Sequence, residues 1–398
     1  MNKNIQFHIM SFCNSLVFFA PVAILLRTTK GVTVSQFFLL QALLSVMIFV
    51  FEIPTGILAD KIGYKKAMLF SQITLFIARF MFLVADHIIY FVIEAVIEAF
   101  SCCFLSGTTD AYLYERCKQT GDEGKFVTET AKANAWGTAG FLVSTMGYYV
   151  LYSFTNLNGL VVATELATLV SIVAVLSMPE TLRQTDKITR NPEGSKQTSK
   201  MLKLTKRLNN SRFTNILWVL IILDTVVGVV GLIINFLYAE KLSWSGLSVT
   251  WMTPIILCYS MLELLVPKVI MSMQKRDEAN IYQMCSLLSM GLLLGIFLLQ
   301  NHFVLVFMIG LPFVLRIVET IQYKYENTYI DELGQSRNRA ALLSVINMGN
   351  NLFSVVFLLF SAIVTSEQGN VIFLFAGIMM FVVAIIGSWI IRKCKIDL

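Results

Sequence analysis

The stretch that decides the fold runs from residue 51 to residue 66: Phe51-Glu52-Ile53-Pro54-Thr55-Gly56-Ile57-Leu58-Ala59-Asp60-Lys61-Ile62-Gly63-Tyr64-Lys65-Lys66. An apolar helix runs into an acid, then a turn glycine, then a pair of lysines, and the next apolar segment begins immediately. Lysines beside the ends of apolar spans mark the cytoplasmic side of a membrane. The stretch therefore predicts two membrane spans joined by a short, basic cytoplasmic turn.

Composition extends this prediction to the whole chain. The 398 residues are 56% hydrophobic and 14% charged, with a mean hydropathy of +0.71, whereas soluble domains carry about a quarter charged residues. A helical span needs about 20 apolar residues, and twelve such segments can be placed. The predicted spans are residues 8–27, 34–59, 67–86, 88–114, 131–153, 159–178, 212–238, 247–272, 278–299, 303–330, 338–364 and 370–392.

The positive residues predict the orientation. If both termini are cytoplasmic, the cytoplasmic segments hold 25 of the 31 Lys and Arg residues, as the positive-inside rule requires. The net charge of +6 then reflects topology, and we expect no nucleic-acid partner. Basic segments would face the anionic inner leaflet of the cytoplasmic (inner) membrane.

The chain is predicted to have two halves. Residues 179–211 interrupt the apolar pattern and contain a polar, turn-rich stretch from Asn191 to Lys200, which indicates a cytoplasmic linker loop. This division gives an N-terminal six-helix bundle at 1–178 and a C-terminal six-helix bundle at 212–398. Six spans on each side suggest an internal repeat, with Glu52 in the second span echoed by Glu263 in the eighth.

The opening stretch resembles the loop between the second and third spans of the major facilitator superfamily, Gly-x-x-x-Asp-Arg/Lys-x-Gly-Arg/Lys-Arg/Lys, with Tyr64 departing at one basic position. Residues 106–115 and 337–344 are similar to span ends of bacterial drug and metabolite exporters in that superfamily. The resemblance implies an all-α membrane protein with twelve transmembrane helices in two six-helix bundles related by a pseudo-two-fold axis. It also implies secondary transport by alternating access.

The same resemblance implies a conformational gate. In the superfamily the loop aspartate, here Asp60, faces the start of the eleventh span, which carries Arg337 and Arg339. A glycine at position 56 would allow the second and eleventh helices to approach closely. The predicted gate residues are Gly56, Asp60, Gly63, Lys65, Lys66, Arg337 and Arg339.

Acids within the spans are candidates for proton coupling. A charged side chain in a membrane span costs about 2.5–3.5 kcal/mol on insertion scales. Glu94 and Glu98 are four residues apart on one helical face, and two close carboxylates rarely both ionise. Asp224 lies deepest by sequence position. These three acids are the predicted proton carriers, the alternative for the glutamates being a solvated position near the outer interface.

Other polar and aromatic residues are predicted to line a central cavity. Arg316 and Glu319 are three residues apart, so they either pair with each other or line the cavity. Arg79 is expected to extend to the outer interface, and Glu165 to lie in the outer part of the sixth span. The cavity candidates are Arg316, Glu319, Glu52, Glu263, Trp136, Tyr148, Phe236 and Tyr259.

The pattern favours proton-coupled efflux of a small amphipathic compound, such as a drug, antibiotic or metabolite. The alternative is a proton-coupled symporter that imports a small nutrient, because the fifth span lacks the Gly-Pro signature of drug:proton antiporters. An integral-membrane enzyme is a remote alternative, since His8, His87 and His302 are isolated in the sequence. We expect a monomer with no cofactor or metal, driven by the proton gradient.

Overall fold

The computed structural model describes residues 4–106, 108–121, 126–180, 212–273, 277–332, 339–365 and 369–397. The helices are α1 (Ile5–Asn14), α2 (Ala23–Thr28), α3 (Val34–Ile62), α4 (Tyr64–Val84), α5 (Ile88–Leu105), α6 (Thr108–Gln119), α7 (Phe126–Phe154), α8 (Leu157–Ser177), α9 (Arg212–Trp244), α10 (Met252–Glu263), α11 (Val266–Met273), α12 (Glu278–Leu298), α13 (Val304–Glu332), α14 (Arg339–Thr365) and α15 (Val371–Asp397). The prediction of an all-α membrane protein is confirmed.

The first, fourth and eighth predicted spans each contain two helices: α1 with α2, α5 with α6, and α10 with α11. Within the described ranges, nine helical segments are long and apolar enough to cross a membrane. The difference from the predicted twelve arises partly from the first of these breaks, because neither α1 nor α2 alone reaches the length of a bilayer crossing, whereas the other two broken spans are among the nine.

Contacts divide the chain into two compact units. Unit 1 comprises Met1–Thr33 and Leu43–Gly194, and unit 2 comprises Val34–Ala42 and Ser195–Leu398. The predicted linker at 179–211 lies outside the described residues from position 181 onward, so the predicted domain boundaries stay a prediction. In unit 1, α4 packs against α5 and α8, while α1 packs against α7 and α8.

The break between α1 and α2 has a clear local cause. Pro21 lies in a short 3-10 turn at Ala20–Val22, and the helical hydrogen-bond ladder is interrupted there. Side chains of neighbouring helices contact two of the freed backbone groups. The Phe18 amide donates to Thr164 Oγ1 at 3.0 Å, and Ser144 Oγ lies 3.3 Å from the Ser15 carbonyl while it also donates to the Phe141 carbonyl at 2.8 Å. Irregular backbone at membrane depth is tolerated when it is satisfied in this way.

In unit 2, α12 packs against α13 and α15, and α9 packs against α13, α14 and α15. A buried amide connects three of these helices. Tyr282 Oη donates to Gln322 Oε1 at 3.1 Å, and Gln322 Nε2 donates to the Leu220 carbonyl at 3.3 Å. The amide satisfies both of its polar ends, so its burial carries little penalty.

The break in the eighth predicted span follows Glu263, the last residue of α10. Pro267 is the second residue of α11, and proline has no amide hydrogen to continue an α-helical ladder. The chain therefore turns at Leu264 and Leu265 before α11 begins. This turn places the end of a helix directly beside the only acidic residue of α10.

Candidate functional site

Unit 2 contains a group of polar side chains drawn from four helices. We call it the unit-2 polar cluster; its members are Asp224 (α9), Glu263 (α10), Arg316 and Glu319 (α13), and Asn350 (α14). Arg316 Nη1 donates to Glu319 Oε2 at 2.8 Å, with side-chain exposures of 59% and 31%. The charge of Glu263 also acts on Arg316. The cluster is thus a partly exposed, charged patch within predominantly apolar helices.

Asp224 is held by Asn350, which is not among the predicted site residues. Asn350 Nδ2 donates to Asp224 Oδ2 at 2.9 Å, and Thr225 Oγ1 donates to Asn350 Oδ1 at 3.0 Å. The Thr225 hydroxyl is also 2.8 Å from the Ile221 carbonyl, so its single hydrogen is shared between two acceptors. The only available signal in the sequence was an uncharged Asn within an apolar span, a weaker indication than a charge.

The break after Glu263 adds to this site. Discontinuous helices in transporters often form binding sites, because their ends expose backbone groups that can contact solutes or ions. Tyr259 lies one turn before Glu263 on α10, and the Glu263 charge acts on it. Four predicted residues, Arg316, Glu319, Glu263 and Asp224, therefore belong to one cluster, and Tyr259 adjoins it.

The predicted proton carriers of unit 1 have different surroundings from those expected. Arg27 Nη2 lies 3.1 Å from Glu94 Oε1 and 3.3 Å from Glu94 Oε2, and Arg27 Nη1 donates to the Ala23 carbonyl at 3.2 Å. The guanidinium also lies 4.5 Å from the ring centroid of Phe82. Arg27 is the last residue of the first predicted span, and it was not among the predicted site residues. Glu98 is half-buried, and its charge acts on Arg79.

The turn after α2 reinforces this end of unit 1. Lys30 Nζ donates to the carbonyl groups of Phe82 and Ala85, at the end of α4. Burial lowers the pKa of Lys30, and the nearby charge of Asp86 partly opposes that shift. Two cations from the same short segment thus contact separate parts of α4 and α5.

Arg79 does not extend to the outer interface, so that expectation was wrong. It is 9% exposed, and its Nη1 donates to Thr168 Oγ1 at 2.6 Å. Arg79 lies on α4, which packs against both α5 and α8, and the charges of Glu98 and Glu165 act on it. These internal partners replace the solvent that a long cationic side chain would otherwise seek.

The remaining cavity candidates are dispersed. Tyr148 is fully buried in unit 1, whereas Trp136 is 40% exposed and stacks on His8 with 6.5 Å between ring centroids. Glu52 is half-buried. In unit 2, Phe236 contacts Phe37 edge-on at 5.0 Å between centroids. The roles of these four candidates in a cavity stay predictions.

The gate residues lie in and around the turn between α3 and α4. Gly63 has φ of 92°, a left-handed conformation that glycine adopts without strain, and its amide donates to the Ala59 carbonyl at 2.9 Å. Asp60 is exposed. Among described atoms, none lies within 4 Å of where a Cβ at Gly56 would be.

The remaining predicted gate residues are Lys65, Lys66, Arg337 and Arg339. Arg337 lies outside the described residues; Arg339 begins α14, but its side chain is not among those described. Lys65 is half-buried and Lys66 exposed in the first turn of α4. The gate contact therefore stays a prediction.

Broken apolar helices that hold charged side chains within their spans are typical of helical membrane transport proteins. The chain belongs to the Major Facilitator Superfamily, whose family model matches residues 7–318. Among curated proteins, none matches this sequence.

Solved structures share the fold at low sequence identity. The nucleoside transporter NupG is 14% identical, with 99% of each chain covered and a TM-score of 0.76. A D-xylose-proton symporter is 14% identical, with 96% of each chain covered and a TM-score of 0.68. A POT family transporter in complex with a thioalcohol-conjugated peptide is 12% identical, with 98% of this chain and 96% of that chain covered and a TM-score of 0.71. Identities this low support the fold alone.

Proposed function

We propose that this protein is a proton-coupled secondary transporter of a small neutral or cationic organic solute. It works by alternating access in the cytoplasmic membrane, with both termini in the cytoplasm. The observation that carries the proposal is the unit-2 polar cluster, where Asp224 is held by Asn350 beside the half-exposed Arg316–Glu319 pair. The cluster offers one carboxyl group for a proton and further polar groups for a solute.

Asp224 suits a proton carrier for two physical reasons. An ionised acid within a span is costly, and the nearby negative charge of Glu319 adds to that cost. The Asn350 amide donates a hydrogen bond to Asp224, and a carboxyl oxygen can accept that bond whether or not the group carries a proton. The protonation state can therefore change without a new set of contacts.

The charge balance of the spans supports a neutral or cationic solute. The charged groups that act on one another within the spans are the acids Glu94, Glu98, Glu165, Asp224, Glu263 and Glu319 and the bases Arg27, Arg79 and Arg316, so acids outnumber bases. Arg316 is the base that a carboxylate or phosphate would need, and Glu319 already accepts its hydrogen bond. Desolvating a multiply charged anion beside these acids would be unfavourable.

The direction of transport separates two versions of the proposal. The resemblance of residues 106–115 and 337–344 to exporter span ends favours efflux of an amphipathic compound by proton antiport. Import by proton symport is the second candidate, motivated by the nucleoside transporter and the D-xylose-proton symporter that share the fold. Both versions require the same proton carrier.

Proton flux in proteoliposomes tests the proposal. With a pH-sensitive dye inside the vesicles, we would add tetraphenylphosphonium as a lipophilic cation, or uridine or xylose as a neutral solute. The expected result is solute-dependent proton movement that Asp224→Asn abolishes and the exposed loop variant Asp86→Asn preserves. Proton movement opposite in direction to the solute indicates antiport, and movement in the same direction indicates symport. Equal proton movement with wild type and Asp224→Asn would exclude Asp224 as the carrier.

A further inference from the structure

Unit 1 holds a second group of charged side chains that lies apart in sequence from the unit-2 polar cluster. Its members come from α2, α4, α5 and α8, and we call it the unit-1 charge cluster. The members are Arg27, Arg79, Glu94, Glu98 and Glu165. Glu98 is half-buried, and each of the other four is no more than 9% exposed.

The cluster is continuous. Arg27 forms an ion pair with Glu94, the carboxyl groups of Glu94 and Glu98 face each other one turn apart on α5, and Glu98 acts on Arg79. Arg79 in turn is near Glu165, and it donates to Thr168, three residues further along α8. Charge changes at one end of this chain of contacts therefore affect the groups at the other.

Glu165 is the member whose charge is least compensated. It is 6% exposed, and neither carboxyl oxygen has a hydrogen-bond partner among the described residues. An ionised carboxylate without hydrogen bonds in an apolar interior is strongly disfavoured. Binding a proton removes this penalty, because the neutral acid is far cheaper to bury.

The charge count leads to the same residue. An arginine side chain stays protonated in proteins, so Arg27 and Arg79 supply two positive charges against three carboxyl groups. One bound proton makes the cluster neutral. Arg27 is engaged with Glu94, which leaves Glu98 and Glu165 to share the single charge of Arg79.

Neighbouring elements add little charge to this balance. Within the described residues, the stretch of α7 from Trp136 to Phe154 has no charged residue, and α1 ends at the uncharged Asn14. Nearby titratable groups are Cys102 on α5, which is close to Arg79 and Glu98, and the loop residues Lys30 and Asp86, which act on each other. His8 lies in the first half of α1, where its partner is Glu129.

We propose that unit 1 contains its own proton-binding site, in which Glu165 carries one proton while Arg79 neutralises Glu98. Because Arg79 can compensate only one of these two acids at a time, a shift of Arg79 toward Glu165 releases the proton from Glu165 and favours its uptake by Glu98. The site deepens the proposed proton coupling by adding a second proton position. Its role in transport rests on that proposal, whereas its existence does not.

Infrared spectroscopy of the purified protein in nanodiscs tests the site without solute or gradient. The readout is the carbonyl stretch of a protonated carboxyl group at neutral pH, in difference spectra of wild type against each variant. Glu165→Gln should remove one such band. Glu98→Gln should remove it as well, because Glu165 then becomes the counter-ion of Arg79 and ionises. A difference spectrum of wild type against Glu165→Gln that contains no such band overturns the assignment of the proton to Glu165, since any protonated Asp224 contributes equally to both spectra.

Glu129→Gln is the matched control. Glu129 is also buried in unit 1, but it accepts hydrogen bonds from Lys132 at 2.7 Å and Asn4 at 3.0 Å. The band should be unchanged in this variant, and its loss there would overturn the assignment. If Glu165→Gln does not fold, Glu98→Gln still decides, since a band that survives in Glu98→Gln contradicts the shared charge balance.

The two proposals fail in different measurements. Loss of the band in Glu165→Gln, together with vesicles that show no solute-dependent proton movement, would support the unit-1 site and reject proton-coupled transport. Solute-dependent proton movement together with an unchanged band in Glu165→Gln would support proton-coupled transport and reject the unit-1 site. The infrared result therefore stands independently of the identity of the transported solute.

Discussion

The Arg27 guanidinium lies 3.1 Å from the Glu94 carboxylate across 67 residues of sequence. Both side chains are almost fully buried, with 6% and 3% exposure. The pair joins the end of the first predicted span to the first half of the fourth. Glu94 thus has a close cation of its own, and this contact is the reason why the proposed unit-1 proton is assigned to Glu165 and not to Glu94.

Breaking this pair should destabilise the protein strongly. Arg27→Met leaves the Glu94 charge buried without its partner, a change that costs about 3–5 kcal/mol for such pairs. Thermal unfolding of the purified protein measures the loss. The double variant Arg27→Met with Glu94→Met should recover part of the stability, because no uncompensated charge remains.

The exposed ion pair between Lys324 and Glu278 provides the control for that measurement. Its atoms are 2.7 Å apart, but the lysine is 61% exposed, so Lys324→Met should cost no more than about 1 kcal/mol. Equal losses in Arg27→Met and Lys324→Met would show that burial of the first pair has no energetic consequence.

Gly140 should be sensitive to the smallest substitution. A Cβ at this position of α7 would overlap the Phe12 carbonyl group of α1, and backbone cannot move aside as a flexible side chain can. Gly140→Ala should therefore cost about 1–3 kcal/mol by overpacking. Gly228→Ala is the matched control: its Cβ would meet no described atom within 4 Å. There, better helix propensity should give unchanged or slightly higher stability. Thermal unfolding of both variants compares them, and equal stability would contradict the close approach.

Asp60 should bias the conformational equilibrium without binding solute. The family resemblance assigns it to a gate with the start of the eleventh span, so Asp60→Asn should shift the population toward the cytoplasm-open state. The expected coupling is about 1–3 kcal/mol. Labelling of single cysteines on the cytoplasmic side, in a background lacking the seven native cysteines, should increase. Unchanged labelling together with weaker solute affinity would instead make Asp60 a binding residue.

The pairing of Arg316 with Glu319 predicts which solutes stabilise the protein. Because the guanidinium donates to the carboxylate at 2.8 Å, organic dianions should find no free cation there. In thermal-shift measurements, tetraphenylphosphonium or uridine should raise the unfolding temperature, and succinate should not. Stabilisation by succinate that disappears in Arg316→Ala would reverse the predicted charge preference.

Much of the architecture was predictable from local sequence. Long apolar segments, the basic residues between them and the glycine at position 63 depend on short-range physics: the length of a bilayer crossing, the positive-inside rule and the backbone freedom of glycine. All twelve predicted spans contain helices in the structure. The family resemblance also followed from a short stretch, because Asp60 and its neighbours act within one turn.

The partners of the buried charges were decided only by the tertiary structure. Spacing correctly placed Arg316 within reach of Glu319 because both lie on one helix, where neighbours recur every three or four residues. Glu94 with Arg27, Arg79 with Thr168 and Asp224 with Asn350 each join different helices. The identity of such partners depends on which helices pack together and on how each is rotated about its axis, and neither quantity is encoded in the periodicity of a single segment.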